Sequence, residues 1–184
     1  MSNLFPGTTI EVSRIEKGSS KILFDGIFTT GGITLSQVSV MTGLEPYIVQ
    51  NWVKRGFLTN PKKRVYSRNQ FARIIIINML RESLQIDTIC NLIKIIGGEL
   101  EDETDDLISD EELYHRYVNM ISENLINVAD KKSVRNAAEA AAEKYEERLP
   151  GSKKKLIQIL QVMVYAHSAA VFRKEAEEML TTLN

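Results

Sequence analysis

Between Thr34 and Gly56 the chain reads as two short helices in immediate succession, and this punctuation constrains its fold more than any other feature. Thr34 is placed to cap a first helix running through Met41, with Leu35, Val38 and Met41 facing inward and Gly43 where a left-handed residue ends it. Pro46 suits the first position of a second helix, where its missing N–H has no partner to lose, and the run to Arg55 stops at Gly56. Two short helices joined by a glycine-containing turn predict a helix-turn-helix unit. On the second helix the helical spacing puts Tyr47, Gln50, Asn51 and Lys54 on one face and Val49, Trp52 and Val53 on the opposite, inward face.

Charge sharpens that reading. Residues 31–81 hold eight Lys or Arg against one acid, Glu45, so this window carries +7 in a chain whose net charge is −1. The balance comes from the other end, where the stretch 99–106 (ELEDETDD) has six acids and no cation. A basic segment inside a near-neutral chain points to a polyanionic partner. Amides on an exposed helix face can make paired hydrogen bonds to base edges, which selects double-stranded DNA among polyanions. Lys62, Lys63 and Arg64 follow at the tip of an expected hairpin between Phe57-Leu58 and Val65-Tyr66, a basic wing suited to sugar-phosphate contacts. Arg55 and Arg68 flank the two elements, so the expected DNA-binding residues are Tyr47, Gln50, Asn51, Lys54, Arg55, Lys62, Lys63, Arg64 and Arg68.

The rest divides around this unit. Residues 1–30 read as an arm with one or two strands, including an apolar run over 21–28. Ser67 and Gln70 have capping-box spacing for a third helix reaching Glu82, whose four isoleucines (Ile74–Ile77) are expected to bury one side. A fourth helix spans Ile86 to Ile96 and ends at Gly97-Gly98, which closes a unit over 31–98. Residues 99–108 read as a solvated acidic linker, with folding back onto the basic face as an alternative. Beyond it, helices are expected from Ser109 through Leu125, from Ser133 to Arg148 and from Lys153 to Leu180, forming a bundle over 109–184. The last carries a broad apolar stripe of Leu156, Ile159, Leu160, Met163, Val164, Ala170 and Phe172, read as a stripe rather than a narrow heptad seam.

Taken together, TLSQVSVMTGLEPYIVQNWVKRGFL, then RVYS, then two helices ending in NLIKII resemble the DNA-binding domain of the MerR family of bacterial transcription regulators. The similarity covers Ile33 to Ile96 and rests on Thr42-Gly43, Trp52, Lys54-Arg55-Gly56, Phe57-Leu58 and Arg64-Val65-Tyr66-Ser67. It implies a mainly α chain: a winged helix-turn-helix followed by a C-terminal helical bundle, acting as a homodimeric transcription regulator. Gln50 and Asn51 depart from the Arg-Tyr pair usual in that family, and Pro46-Tyr47 replaces a smaller polar start. The layout also resembles a family of functionally uncharacterised proteins from Gram-positive bacteria. An adaptor that keeps the winged-helix fold without specific DNA binding is the alternative these departures raise.

Other classes find little support. The single cysteine, Cys90, cannot form an internal disulfide, and His115 and His167 are far apart with no cysteine cluster, so no metal site is expected. No catalytic constellation or phosphate-binding glycine loop stands out, which predicts neither an enzyme nor a cofactor. The absence of a long apolar run predicts a cytoplasmic protein without a membrane partner. Tyr114, Tyr117, Tyr145 and Tyr165 are expected in the core or at an interface, with a small-molecule effector pocket as a secondary use.

Overall fold

The computed structural model describes residues 4–98, 106–123 and 125–183. Its architecture is mainly α: α1 (Ser19–Ile27), α2 (Leu35–Thr42), α3 (Pro46–Lys54), α4 (Arg68–Leu80), α5 (Ile86–Gly97), α6 (Asp110–Glu123), α7 (Lys131–Ala141) and α8 (Ser152–Thr181), with two short strands, β1 (Ile33–Thr34) and β2 (Val65–Tyr66).

The helix starts follow from side-chain chemistry. Thr34 and Ser67 each accept a hydrogen bond from the backbone N–H three residues on, and the Gln37 and Gln70 side-chain oxygens accept one from the cap residue's own N–H, so α2 and α4 open on complete capping boxes. α2 ends at Gly43, whose φ of 70° is the left-handed conformation that a side chain would disfavour, and the turn to α3 occupies residues 43–45. Antiparallel pairing of β1 with β2 aligns Ile33 with Tyr66 and Thr34 with Val65. Thr34 ends β1 and Ser67 directly follows β2, so each helix begins where its strand stops, at opposite ends of the short antiparallel ladder.

The organising element is α4. Ile74, Ile75, Ile76 and Ile77 are all fully buried, as are Phe71, Ala72 and Leu80, so this helix is enclosed on every side. Its most extensive packing is against α6, with α8 and α2 on other sides. A helix that is apolar all round has no solvent face to offer, and three neighbours are the way to satisfy it. One buried cluster therefore runs from Phe5 through Trp52, Phe71 and Tyr114 to Val164, and the core does not divide at the acidic stretch.

The N-terminal segment departs from expectation in part. The run 21–28 lies mostly in α1, with Phe24 fully buried, because Ser20, Phe24 and Phe28 recur at the helical spacing of four and reach the Phe71–Tyr114 side of the core. The residues before it dock as an arm. Thr9 donates from its N–H to Met41 O at 2.8 Å and from its hydroxyl to Val40 O at 2.7 Å, supplying partners for carbonyls at the end of α2. Asn78 Nδ2 donates to Gly7 O and Thr42 O, and the Tyr114 hydroxyl to Pro6 O, which ties the arm to α4 and α6.

Three further boundaries move. The acidic residues 99–105 lie outside the described residues, but Asp106, Leu107 and Ile108 are buried, and Leu107 N–H donates to Ile96 O. α6 stops at Glu123 and leaves Leu125 fully exposed. α7 starts earlier than expected, with the Asp130 carboxylate accepting from Lys132 and Ser133 N–H, and stops at Ala141 rather than Arg148. Beyond it Tyr145 is buried and its hydroxyl donates to Leu107 O, which requires the chain to leave the helix.

α8 is the one helix, among the described residues, long and apolar enough by length and composition to cross a membrane. One face of its first half is buried in the protein, through Leu156, Ile159, Leu160, Met163 and Val164.

At the centre of the molecule Arg73 of α4 donates from Nε to Asp110 Oδ2 at 2.7 Å, with the two side chains 9% and 2% exposed. Asp106 lies against the same group, and Gly97 makes room for it: a Cβ there would sit 2.8 Å from Arg73 Nη2 and 3.2 Å from Asp106 Oδ1. Burial pushes the Asp110 carboxyl up to about 6 despite the neighbouring guanidinium. Removing the cation alone leaves a buried acid without compensation, so Arg73→Leu is expected to cost about 3–5 kcal/mol of stability in urea unfolding.

Burial also lowers His167 to about 4; its Nδ1 lies 2.7 Å from the Tyr117 hydroxyl. Between about 6.5 and 4 the unfolded chain takes a proton at His167 that the native state refuses, so this group withdraws stability as pH falls. Asp110 has the opposite sign, since the native state accepts its proton first on the way down from about 6. Urea unfolding at pH 7 and pH 5 is expected to show a smaller acid-induced loss in His167→Gln than in the wild type.

Candidate nucleic-acid interface

The eight cations of the 31–81 window divide into two sets of four. Arg55 pairs with Asp87 at 3.2 Å and lies over the Phe57 ring; Arg68 pairs with Asp25 and with Glu111, both at 2.8 Å; Arg73 pairs with Asp110; Arg81 approaches Glu82 at 3.9 Å. Lys54, Lys62, Lys63 and Arg64 are exposed and form no ion pair among the described residues. The acids that neutralise the first set come from α1, α5 and α6 and from the turn after α4. Positive charge is therefore matched by acids at these four arginines and left without an ion pair, among the described residues, at Lys54 and at the turn before β2.

α3 presents two distinct faces. Val49 is fully buried and Trp52 nearly so, whereas Tyr47 is 67% exposed and Gln50, Asn51 and Lys54 are exposed with it. The expected reading face is thus one contiguous surface of the helix, with an aromatic ring, two primary amides and an ammonium. Neither amide is engaged in a hydrogen bond among the described residues, so both keep their donors and acceptors for a partner.

The segment after α3 differs from the expected hairpin. Phe57 and Leu58 are not a strand; Leu58 is buried in the core, and β2 pairs with β1 on the other side. What remains is a tight turn over Lys62–Val65, closed by Val65 N–H to Lys62 O at 3.0 Å. Its central residues, Lys63 and Arg64, have φ of 51° and 64°, the pattern of a type I′ turn normally filled by Asn or Gly. Two side chains in the left-handed region each cost on the order of 1 kcal/mol, yet they make the turn project adjacent cations into solvent.

Gln70 holds this turn to the body. Its Oε1 accepts from Ser67 N–H at 2.9 Å, and its Nε2 donates to Thr59 O, Thr59 Oγ1 and Asn60 O at 3.0, 2.8 and 3.3 Å. The same side chain thus completes the cap of α4 and fixes the loop leaving α3. Its spacing from Ser67 signals the cap, but its grip on residues distant along the chain has no local sequence signal.

Arg55 and Arg68 are both held in ion pairs. Arg68 lies over the Phe24 and Phe28 rings as well as between two carboxylates, which makes it a tie between α1, α4 and α6. Arg55 borders an open cleft of about 370 Å³ shared with Trp52, Arg81, Glu82, Leu84 and Ile86, on the side of α3 opposite Tyr47. Of the four tyrosines, Tyr114, Tyr117 and Tyr145 are buried and Tyr165 is 39% exposed. Among the described residues no group of three or more His, Cys, Asp and Glu is arranged to hold a metal ion.

Residues 27–117 match the family model described as a domain of unknown function, DUF1836. The matched span begins at the end of α1 and reaches into α6, so it takes in both partners of the Arg73–Asp110 pair and continues past the acidic stretch. Comparison with curated proteins and with solved structures gave no match.

The left-handed turn yields a direct test of its cost. Lys63→Gly is expected to leave stability unchanged or raise it by up to about 1 kcal/mol in urea unfolding, since relief of strain offsets the added freedom of the unfolded chain.

Proposed function

We propose that the chain is a DNA-binding transcription regulator whose α2–α3 pair is a helix-turn-helix and whose Lys62–Val65 turn is a short wing, in a MerR-like layout. The observation that carries this reading is the coincidence of the unpaired cations with the free amide face. Lys54, Lys62, Lys63 and Arg64 form no ion pair among the described residues, unlike the other four cations of the segment, and Gln50 and Asn51 stand exposed on α3 within a turn of Lys54.

In this reading α3 enters the major groove. Gln50 and Asn51 offer the donor-acceptor pairs that match the N6 and N7 edge of adenine, while Tyr47 supplies apolar contact and a hydroxyl. Lys54 at the end of α3 and the three cations of the wing meet phosphates on either side of the groove, which sets register without reading sequence. Arg55 and Arg68 act one step behind: their ion pairs hold α5, α1 and α6 against the elements that touch DNA. A unit this small makes few base contacts, so discrimination calls for a homodimer on a palindromic site.

The test is binding of the purified protein to duplex fragments from upstream of its own coding sequence, compared with scrambled duplexes across a salt series. Tighter binding to one upstream fragment, with affinity falling steeply as salt rises, is the expected result; equal affinity for scrambled DNA or no salt dependence overturns the reading. Replacing Lys62, Lys63 and Arg64 together by Ala is expected to weaken binding to every duplex and flatten the salt slope. Gln50→Ala or Asn51→Ala is expected to lower discrimination by about 1–3 kcal/mol at the base contacted, with smaller loss on scrambled DNA.

A further inference from the structure

The long helix α8 carries two apolar stripes, and only one is used within the chain. The inner stripe, Leu156, Ile159, Leu160, Met163 and Val164, is buried in the core. The second consists of Val162, Tyr165, Ala169, Phe172, Ala176 and Met179, with Leu183 just past the end of the helix; all seven are exposed. Their spacing alternates three and four without interruption from 162 to 183, which is the a/d repeat of a coiled-coil seam. The large members are 41% (Val162), 39% (Tyr165), 60% (Phe172), 63% (Met179) and 80% (Leu183) exposed, and Leu180 beside them is 61% exposed.

We infer that this seam is the dimer interface of the protein, with α8 of a second copy as its occupant. A strict heptad seam is covered well only by another helix with the same repeat over the same length, because each a or d side chain needs a hole formed by four residues of the partner. Among the described residues α8 is the one helix that offers such a seam, and a second copy brings the same one. Applied to side chains of roughly 150–250 Å² each, the exposures leave on the order of 600 Å² of apolar surface per protomer, near the about 800 Å² per partner of a specific interface.

The flanks of the seam agree with self-association. On one side stand Gln161, Ser168, Glu175 and Thr182, a single charge that sets no block of like charges against its copy. On the other stand Ala166, buried in its own protomer, Arg173, which pairs with Glu82 at 2.9 Å, and Leu180. The remaining charges, Lys174 with Glu178 and Glu177 with Arg173, pair along the helix. Five charged residues between 173 and 178 make a bilayer a poor host for this half of the helix, although α8 as a whole meets the length and composition of a membrane span. The inference stands whether or not the protein binds DNA.

The test is sedimentation velocity and light scattering on the full chain, between about 1 and 100 µM. The wild type is expected to be a dimer. Phe172→Glu with Met179→Glu places two acids in the seam and is expected to raise the dimer dissociation constant at least about 100-fold, giving a monomer. Both residues are exposed in one protomer, so circular dichroism should report an unchanged helix content. Lys174→Glu, off the seam, is expected to remain dimeric. A wild type that stays monomeric throughout the range, a seam variant that remains dimeric, or a monomeric wild type that floats with phosphatidylglycerol vesicles overturns the inference.

Discussion

The buried pair between Arg73 and Asp110 is the contact on which the arrangement of this molecule depends. A guanidinium and a carboxylate withdrawn from water lose several kcal/mol of hydration each, and only close pairing offsets that loss. Neither partner can move without stranding the other, so α4 and the start of α6 are held in one register. Asp106 and the bare backbone at Gly97 complete the niche, which brings the end of α5 to the same point. Through this pair the basic part of the chain is joined to the acidic part at the core, although they are separated in sequence by the acidic stretch.

The same logic governs the surface. Acids from α1 and α6 converge on Arg68, and Asp87 of α5 reaches Arg55 at the surface, so four arginines of the basic segment carry acid partners from the structure around them. What is left without an ion pair among the described residues is Lys54, at the end of α3, and the exposed turn from Lys62 to Arg64. Selective cancellation of this kind makes a directional field from a chain with almost no net charge. The left-handed backbone at Lys63 and Arg64 is held from both sides, by Gln70 on Thr59 and Asn60 and by the β1–β2 pairing, which fix the base of the strained turn.

α8 shows how one helix can serve two neighbours. At 3.6 residues per turn, the stripe through Leu156, Ile159 and Met163 points into the core while the stripe through Val162, Tyr165 and Phe172 lies on another side. Early in the helix the inner stripe governs its packing; towards the end the body of the protein falls away and the outer seam remains.

Local chemistry determined much of this from the sequence alone: the caps at Thr34 and Ser67, the stop at Gly43, the two-faced character of α3 and the mainly α class all rest on residues within one or two turns of each other, where side-chain spacing dictates the result. Only the tertiary structure decided what depended on distant partners. β2 pairs with β1 because strand pairing is made across the fold, and α4 is buried on every side because α6 and α8 return to cover it. The run at 21–28 is largely helical because Phe24 meets Phe71 and Tyr114, and α7 ends early because Tyr145 is drawn to Leu107. For the candidate site the division is the same. The residue types and their helical face were legible, whereas which cations stay free was not, since Asp25, Asp87, Glu111 and Asp110 lie far along the chain from most of the arginines they neutralise, and charge cancellation follows distance in space.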